Sequence, residues 1–210
     1  MKNTFDEITA PLEQTIATGL ARIFTVTRSQ AWARAVVDGV TPTQADILAL
    51  LVSRSNALRL SVIAEQLAVS AATASDAVST LVAKGLVKKV RAADDRRALA
   101  LSLTPEGRAL ASAAADASGS LLAQSLKALT PDDKLDLLRV VVKIIGTMQE
   151  RGEISISRMC MSCNYYDGNK SDDPALPHHC NLVGSAFADH HIRIDCPEHL
   201  SGFIPITPIK

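Results

Sequence analysis

Three short helical segments, each opened by a capping or polar residue, precede a basic β-hairpin pattern, and this order restricts the fold more than any other feature. The first begins at Thr41-Pro42-Thr43-Gln44, a capping box with proline at the first helical position, and runs to about Arg54. A second fits Ser61 to Leu67, and a third begins at Ser70 and stops at Gly85. The succession predicts a mainly α fold that contains a helix-turn-helix.

After Gly85 the apolar pattern changes from a helical to an alternating period. Residues 86–91 and 98–103 fit two strands around a charged turn at 92–97. Seven basic and three acidic residues lie between Lys84 and Arg108, although the net charge of the whole chain is zero. Positive charge is thus concentrated where nucleic-acid phosphates could be contacted. A small β-hairpin wing behind three helices predicts a winged helix-turn-helix, with the third helix in the major groove of DNA.

Helical patterns flank this region on both sides. The N-terminal region predicts a long helix with one apolar stripe, and Pro11 should bend or restart this helix. The stripe fits either a core or an interface with a partner helix. It consists of Phe5, Ile8, Leu12, Ile16, Leu20, Ile23 and Phe24. Thr104-Pro105-Glu106 begins another helix, and Pro131-Asp132-Asp133 begins a last one that Gly152 ends. We divide the chain into a dimerisation helix (1–38), a winged helix-turn-helix (39–104), C-terminal dimerisation helices (105–151) and a loop-rich, Cys/His-rich metal-binding extension (152–210).

These patterns resemble the MarR family of bacterial transcription regulators over roughly residues 5 to 150. The residues that carry the resemblance are Leu67-Ala-Val-Ser70, Thr73, Leu81, Gly85-Leu86-Val87, Arg91, Asp94-Asp95-Arg96-Arg97 and Leu103-Thr104-Pro105-Glu106-Gly107. The resemblance implies a homodimer joined through the first helix and the last two. It also implies binding to a palindromic operator in double-stranded DNA, as a repressor, and a pocket for a small-molecule effector between the dimer and DNA-binding regions.

The resemblance, carried over position by position, also implies which residues contact DNA. They are Ser70, Ala72, Thr73, Ser75, Asp76 and Ser79 on the third helix and Lys88, Arg96 and Arg97 in the wing, with Asp95 holding a wing arginine in place. Because residues 71–82 contain no lysine or arginine, a bidentate arginine-to-guanine contact is not available from this helix. We expect hydroxyl groups, DNA shape and the wing to carry more of the sequence recognition.

All four cysteines and all five histidines follow Arg151, in a polar segment without apolar periodicity, which could hardly fold on hydrophobic burial alone. Cys160 and Cys163 form a C-x2-C pair, and Cys180 and Cys196 follow after sixteen and fifteen intervening residues. Four thiolates are a complete ligand set for zinc or for an iron–sulfur cluster. One close pair plus two single cysteines favours the cluster, and the spacing, including Tyr165, resembles that of high-potential iron–sulfur proteins.

Other assignments of the cysteines remain open. Structural zinc is the second interpretation, and metal-free thiols that sense oxidants are the third. An imidazole could replace one thiolate, although a histidine near a metal site is more often a hydrogen-bonding neighbour of a ligand than a ligand itself.

The sequence favours a regulator over an enzyme or electron carrier. It contains no H-E-x-x-H, glycine-rich phosphate loop or nucleophile elbow, and four cysteine ligands leave no open metal position. No signal-peptide pattern or membrane-length apolar run is present, so we expect a cytoplasmic protein without membrane contact. The leading hypothesis is a regulator whose DNA binding responds to redox state or iron. The alternative is a small-molecule-responsive regulator with a structural zinc site.

Overall fold

The computed structural model describes residues 10–54, 56–92, 95, 97–117, 121–155, 157–168 and 170–201. The helices in these ranges are α1 (Leu12–Val37), α2 (Pro42–Val52), α3 (Leu60–Gln66), α4 (Ala71–Ala83), α5 (Pro105–Ala117), α6 (Leu121–Lys127) and α7 (Pro131–Glu150). Strands β1 (Val87–Arg91) and β2 (Leu99–Leu103) form an antiparallel hairpin in which Val87 pairs with Leu103. The predicted mainly α fold with a small hairpin wing is confirmed.

Local capping chemistry places the helix starts where the sequence predicts them. Thr41 and Gln44 form the reciprocal capping box of α2, and Thr130 and Asp133 form that of α7. Each box satisfies backbone N–H groups that have no partner inside the helix. Pro11 stands at the N-cap of α1, so this helix begins directly after it, while Phe5 and Ile8 lie outside the described residues.

The main core lies where the helix-turn-helix meets the hairpin. Ile47 of α2, Ile63 of α3 and Leu81 of α4 are fully buried in it. Burying each of these side chains stabilises the fold by roughly 1.5–3 kcal/mol, so together they fix the relative orientation of the three helices. Leu58 adds a β-bridge to Leu101, which ties the connection between α2 and α3 to the wing.

The start of α5 packs directly on the backbone that precedes β1. The Thr104 hydroxyl donates to the Gly85 carbonyl oxygen at 2.7 Å and accepts from the Gly107 N–H at 3.0 Å. A Cβ on Gly107 would lie 1.9 Å from the Leu86 carbonyl oxygen. The Thr-x-x-Gly pattern is therefore a packing requirement, because the two backbones approach too closely for a side chain.

Two features of the helical region differ from the sequence analysis. The short helix α6 was not predicted as a separate element, although Leu121, Leu122 and Leu126 lie on it. The apolar stripe of α1 is not core within one chain, since Leu12, Ile16 and Phe24 are 70%, 50% and 64% exposed.

The C-terminal extension has a small apolar core, contrary to the expectation from its polar composition. Met159 and Met161 are fully buried and pack with Ile192 against Val142 of α7. Its strands β3 (Tyr166–Asp167), β4 (His178–Cys180) and β5 (Ser185–Phe187) form one antiparallel sheet. We call residues 157–168 and 170–201 the cysteine module. Its sequence did not reveal this core because isolated methionines and isoleucines in loops follow no period.

Among the described residues, no single helix is long and apolar enough to span a membrane; α1 and α2 meet that test only when counted together, and they are bent by 91° relative to each other.

Candidate nucleic-acid interface and cysteine site

Helix α4 divides cleanly into a buried and an exposed face. Ala74, Ala77, Val78 and Leu81 are buried in the core. Of the residues predicted to contact DNA, Ser70, Ala72, Thr73, Asp76 and Ser79 are exposed, and Ser75 is half-buried. The structure thus leaves these side chains on one accessible surface, as a recognition helix requires.

Hydroxyl groups at the start of α4 already have partners within the chain. The Ser70 hydroxyl oxygen accepts a hydrogen bond from the Thr73 N–H at 3.0 Å and lies 2.8 Å from the Thr73 hydroxyl. Ser70 is thus the N-cap of α4, and this role fixes the direction in which the helix starts. Any contact of Ser70 with DNA has to be compatible with the cap.

The wing presents basic side chains, and a carboxylate orders its turn. Lys88 and Arg97 are exposed, and the Asp95 carboxylate accepts a hydrogen bond from the Arg97 backbone N–H at 2.9 Å. Arg96, which was also predicted to contact DNA, lies outside the described residues. In the described part of the wing, Asp95 holds Arg97 through the backbone.

Lys84 belongs to the basic segment of the sequence, but its side chain makes hydrogen bonds within the fold. Its ammonium donates to the Gly39 carbonyl oxygen at 2.5 Å and to Gln44 Oε1 at 3.4 Å. These bonds tie the end of α4 to the turn between α1 and α2. Lys84 keeps its charge at the surface, because both acceptors are neutral, but its position is fixed by these contacts.

Comparison with known proteins identifies this region. Residues 38–98 match the model of the MarR family. The winged helix-turn-helix is a MarR-family domain. Members of this family are transcriptional regulators and not enzymes, which confirms the resemblance and the functional class predicted from the sequence. No curated protein matches the chain.

Solved structures share the fold of about two thirds of this chain. A MarR-family regulator from Silicibacter pomeroyi is 22% identical, with a TM-score of 0.58, and the match covers 66% of this chain and 92% of that one. FabT of Streptococcus pneumoniae in complex with DNA is 15% identical, with a TM-score of 0.57 and coverage of 66% and 98%. CouR from Rhodococcus jostii bound to p-coumaroyl-CoA is 19% identical, with a TM-score of 0.55 and coverage of 64% and 94%. About a third of the present chain lies outside each match.

The four cysteines of the module line a single small cavity. Cys160 and Cys163 bracket a tight turn, Cys180 ends β4, and Cys196 stands in a loop before Pro197. The cavity has a volume of about 30 Å³, and Tyr165, Tyr166, Leu182, Phe187 and Glu198 complete its wall. Cys160 and Cys196 are 36 positions apart in sequence, and the fold brings them, with the other two cysteines, to one largely apolar space.

Backbone contacts hold the thiols and also act on their charge. The Arg193 N–H donates to Cys160 Sγ at 3.3 Å, and the Cys160 N–H donates back to the Arg193 carbonyl oxygen at 3.0 Å. Burial raises the pKa of the Cys160 thiol, and the other three cysteines raise it further, while the Arg193 N–H works in the opposite direction. Four thiolates side by side in this cavity need a cationic centre to offset their mutual repulsion.

The thiols share a cavity without forming the ligand shell of one ion. In the described ranges, no three histidine, cysteine, aspartate or glutamate side chains are arranged to hold a metal ion. All five histidines are among the described residues, and the wall of the cavity includes none of them. His199 instead bonds to Ser162, and the rings of His190 and His191 lie 3.9 Å apart.

A hydrogen-bonded chain connects the cavity wall to α7, and sequence reasoning missed it. The Tyr166 hydroxyl lies 2.8 Å from His178 Nδ1, and His178 Nε2 lies 2.7 Å from an Asp189 carboxylate oxygen. Arg139 of α7 donates to the other oxygen of Asp189 at 2.8 Å. Burial raises the pKa of Tyr166 to about 12, so its hydroxyl stays protonated. No local pattern could reveal partners that lie 50 positions apart.

A second cavity lies between the winged helix-turn-helix and the cysteine module. It has a volume of about 270 Å³, and its lining includes Arg54, Asn56, Leu58, Arg158 and Tyr165. Tyr165 borders both cavities, so the cleft and the cysteine site share a wall.

Proposed function

We propose that this MarR-type regulator binds a palindromic operator as a homodimer and that an iron–sulfur cluster held by Cys160, Cys163, Cys180 and Cys196 controls its affinity for DNA. Binding represses the controlled genes in this proposal. The observation that carries it is the convergence of four thiols on one apolar cavity, in a module that packs against α7 of the same chain.

The exposed residues of the helical region support a homodimer. Apolar side chains at helical spacing on α1 and α7 remain exposed in the single chain: Leu12, Ile16, Ile23, Leu137, Val140 and Ile144. An apolar surface of this kind marks an interface, and pairing two copies covers it. A symmetric dimer presents two α4 helices to two half-sites about one turn of DNA apart, which matches a palindromic operator.

The spacing of the cysteines, one close pair and two single residues, favours a cluster over a zinc ion. A cluster distributes its cysteine ligands over several irons. The four thiols line a common cavity, and the N–H bond to Cys160 Sγ is the kind of contact that tunes a cluster. When bound, a cluster supplies one-electron redox chemistry, and the apolar wall limits the access of water.

Protein purified without oxygen tests the identity of the bound group. We expect iron and acid-labile sulfide in equal amounts and a broad visible absorption. Cys196→Ser should lose most of the iron, whereas Ser185→Ala, an exposed change on β5, should keep it. Stoichiometric zinc without sulfide would overturn the cluster and leave the alternative of a small-molecule-responsive regulator with a zinc site. Metal-free protein would overturn both metal assignments.

A further inference from the structure

The helix-turn-helix and the cysteine module are joined by an ion pair between a buried arginine and a half-exposed aspartate. Arg54 follows the end of α2, and its side chain is 5% exposed. Its Nη1 donates to an Asp195 carboxylate oxygen at 2.6 Å across 141 positions of sequence. A guanidinium buried this deeply requires an anionic partner, because an unpaired buried charge is strongly destabilising.

Arg54 also connects the helices of the DNA-binding motif to each other. Nη1 donates to the Ser53 hydroxyl oxygen at 2.8 Å, and Nη2 donates to Gln66 Oε1 on α3 at 3.1 Å. The same guanidinium therefore contacts the end of α2, the helix α3 and the cysteine module. A change in the position of its carboxylate partner acts directly on the packing of α2 against α3.

Asp195 is adjacent to one of the proposed ligands. Cys196 follows it in sequence, and the Cys196 N–H donates to the Arg158 carbonyl oxygen at 2.9 Å. Arg158 Nε donates to the Cys196 carbonyl oxygen at 2.8 Å and lies 3.9 Å from the second Asp195 oxygen. Arg158 thus contacts both the backbone of Cys196 and the carboxylate of Asp195, so these two neighbouring residues are held by one side chain.

We infer that Arg54 and Asp195 couple the cysteine site to the helix-turn-helix. With the group bound, Cys196 is held and the Asp195 carboxylate pins Arg54 between α2 and α3. When the group is lost, the loop around Cys196 relaxes, Arg54 loses its partner, and α3 is less firmly packed beneath the recognition helix α4. The inference rests on the proposed function, because it requires a group whose presence at the four cysteines changes.

Hydrogen exchange of the intact dimer tests this coupling. Amide exchange in α3 (Leu60–Gln66) is measured on protein with its bound metal or cluster and after removal by a chelator. We expect removal to speed exchange in α3 by about tenfold, because local opening follows the contacts that hold a segment. In Asp195→Asn, the loaded protein should already exchange at the rate of the stripped wild type, while Asp195→Glu should retain part of the protection.

Two further variants distinguish a failure of the coupling from a failure to bind the group. Arg54→Gln removes the same pair from the winged-helix side. The Arg54 guanidinium bonds to Ser53, Gln66 and Asp195 and not to a cysteine, so this variant should still bind the group. Arg54→Gln therefore decides the test if Asp195→Asn fails to bind the group. Asp136→Asn is the control, since it alters another Arg–Asp pair that is confined to the surface of α7. Equal α3 exchange in loaded and stripped wild type overturns the coupling. A change in α3 exchange without any change in operator affinity overturns the proposed function and leaves the coupling in place.

Discussion

Arg139 of α7 holds one oxygen of the Asp189 carboxylate with two nitrogens, Nε at 2.8 Å and Nη2 at 2.6 Å, while His178 lies 2.7 Å from the other oxygen. This contact fixes the cysteine module on the helix that carries part of the exposed apolar surface. Together with Arg54 and Asp195, it gives the module one ion pair to the proposed dimerisation region and one to the DNA-binding domain.

Asp189 should make the stability of the protein sensitive to acid. Burial would raise the pKa of this carboxyl group, but hydrogen bonds from Arg139 and His178 outweigh burial and lower it. In the unfolded chain the pKa of an aspartate is about 3.9. A carboxylate whose pKa is lower in the folded protein stabilises the fold at pH values above about 3.9. This stabilisation is lost as the pH falls through the folded pKa. We expect Asp189→Asn to lower the melting temperature at neutral pH and to flatten its decline below about pH 4.

Thermal unfolding from neutral to acidic pH measures this effect, with Asp136→Asn as the control. Asp136 contacts the same arginine at 3.0 Å, but its side chain is 73% exposed, so the control should change little. Parallel pH profiles for wild type and Asp189→Asn would contradict the assignment.

Gly107→Ala should destabilise the winged helix-turn-helix through a steric clash. The added Cβ would meet the Leu86 carbonyl oxygen at 1.9 Å, and backbone cannot move aside as a flexible side chain can. We expect a loss of about 1–3 kcal/mol or more in the free energy of unfolding by denaturant. Glu106→Ala, an exposed change one position earlier, should stay within about 0.5 kcal/mol. Equal stability of the two variants would show that α5 does not approach this backbone as described.

Ile16→Glu should weaken the homodimer. Ile16 is half-exposed on the apolar stripe of α1, so pairing two copies would bury one added carboxylate in each. We expect the dimer dissociation constant, measured by sedimentation, to rise by about tenfold or more, and tenfold corresponds to about 1.4 kcal/mol. Thr18→Glu adds the same charge on the opposite face of α1 and should leave the dimer intact. A dimer that tolerates Ile16→Glu would place the interface elsewhere.

Arg97→Ala should reduce the salt dependence of DNA binding. Arg97 is exposed in the wing and is a predicted phosphate or minor-groove contact. Each lost phosphate contact lowers the slope of log affinity against log salt by about 0.9, so we expect a loss of about one per protomer. Lys170→Ala removes one positive charge from the cysteine module, where Lys170 bonds to Asn181, and should leave the slope unchanged. An unaltered slope for Arg97→Ala would remove this residue from the interface.

The parts of the fold that the sequence predicts are those that depend on neighbours in the chain. Thr41, Ser70 and Thr130 cap their helices by bonding three residues ahead, so their residue types alone indicate the helix starts. The apolar stripe of α1 shows the limit of periodicity. It identifies the face of α1 that must be buried. It does not tell whether this face is buried by the same chain or by a second copy.

The cysteine site shows the same division. The four thiols were predicted as one ligand set from residue type and spacing, and the structure lines one cavity with them. The supporting contacts were not predicted, because Arg54 and Asp195 are 141 positions apart and each is an ordinary charged residue in its local sequence. Lys84 illustrates the same limit, since composition places it in the basic segment but does not reveal its bond to Gly39, 45 positions earlier.

Operator affinity, measured on one preparation with and without its cluster, shows whether the cysteine site controls DNA binding. A duplex selected from a random-sequence pool by the loaded wild-type dimer serves as the probe, at a fixed salt concentration. We expect dissociation constants that differ by about tenfold or more between loaded and cluster-free dimer, with the difference largely lost in Asp195→Asn. Identical binding curves for loaded and cluster-free wild-type dimer would contradict it.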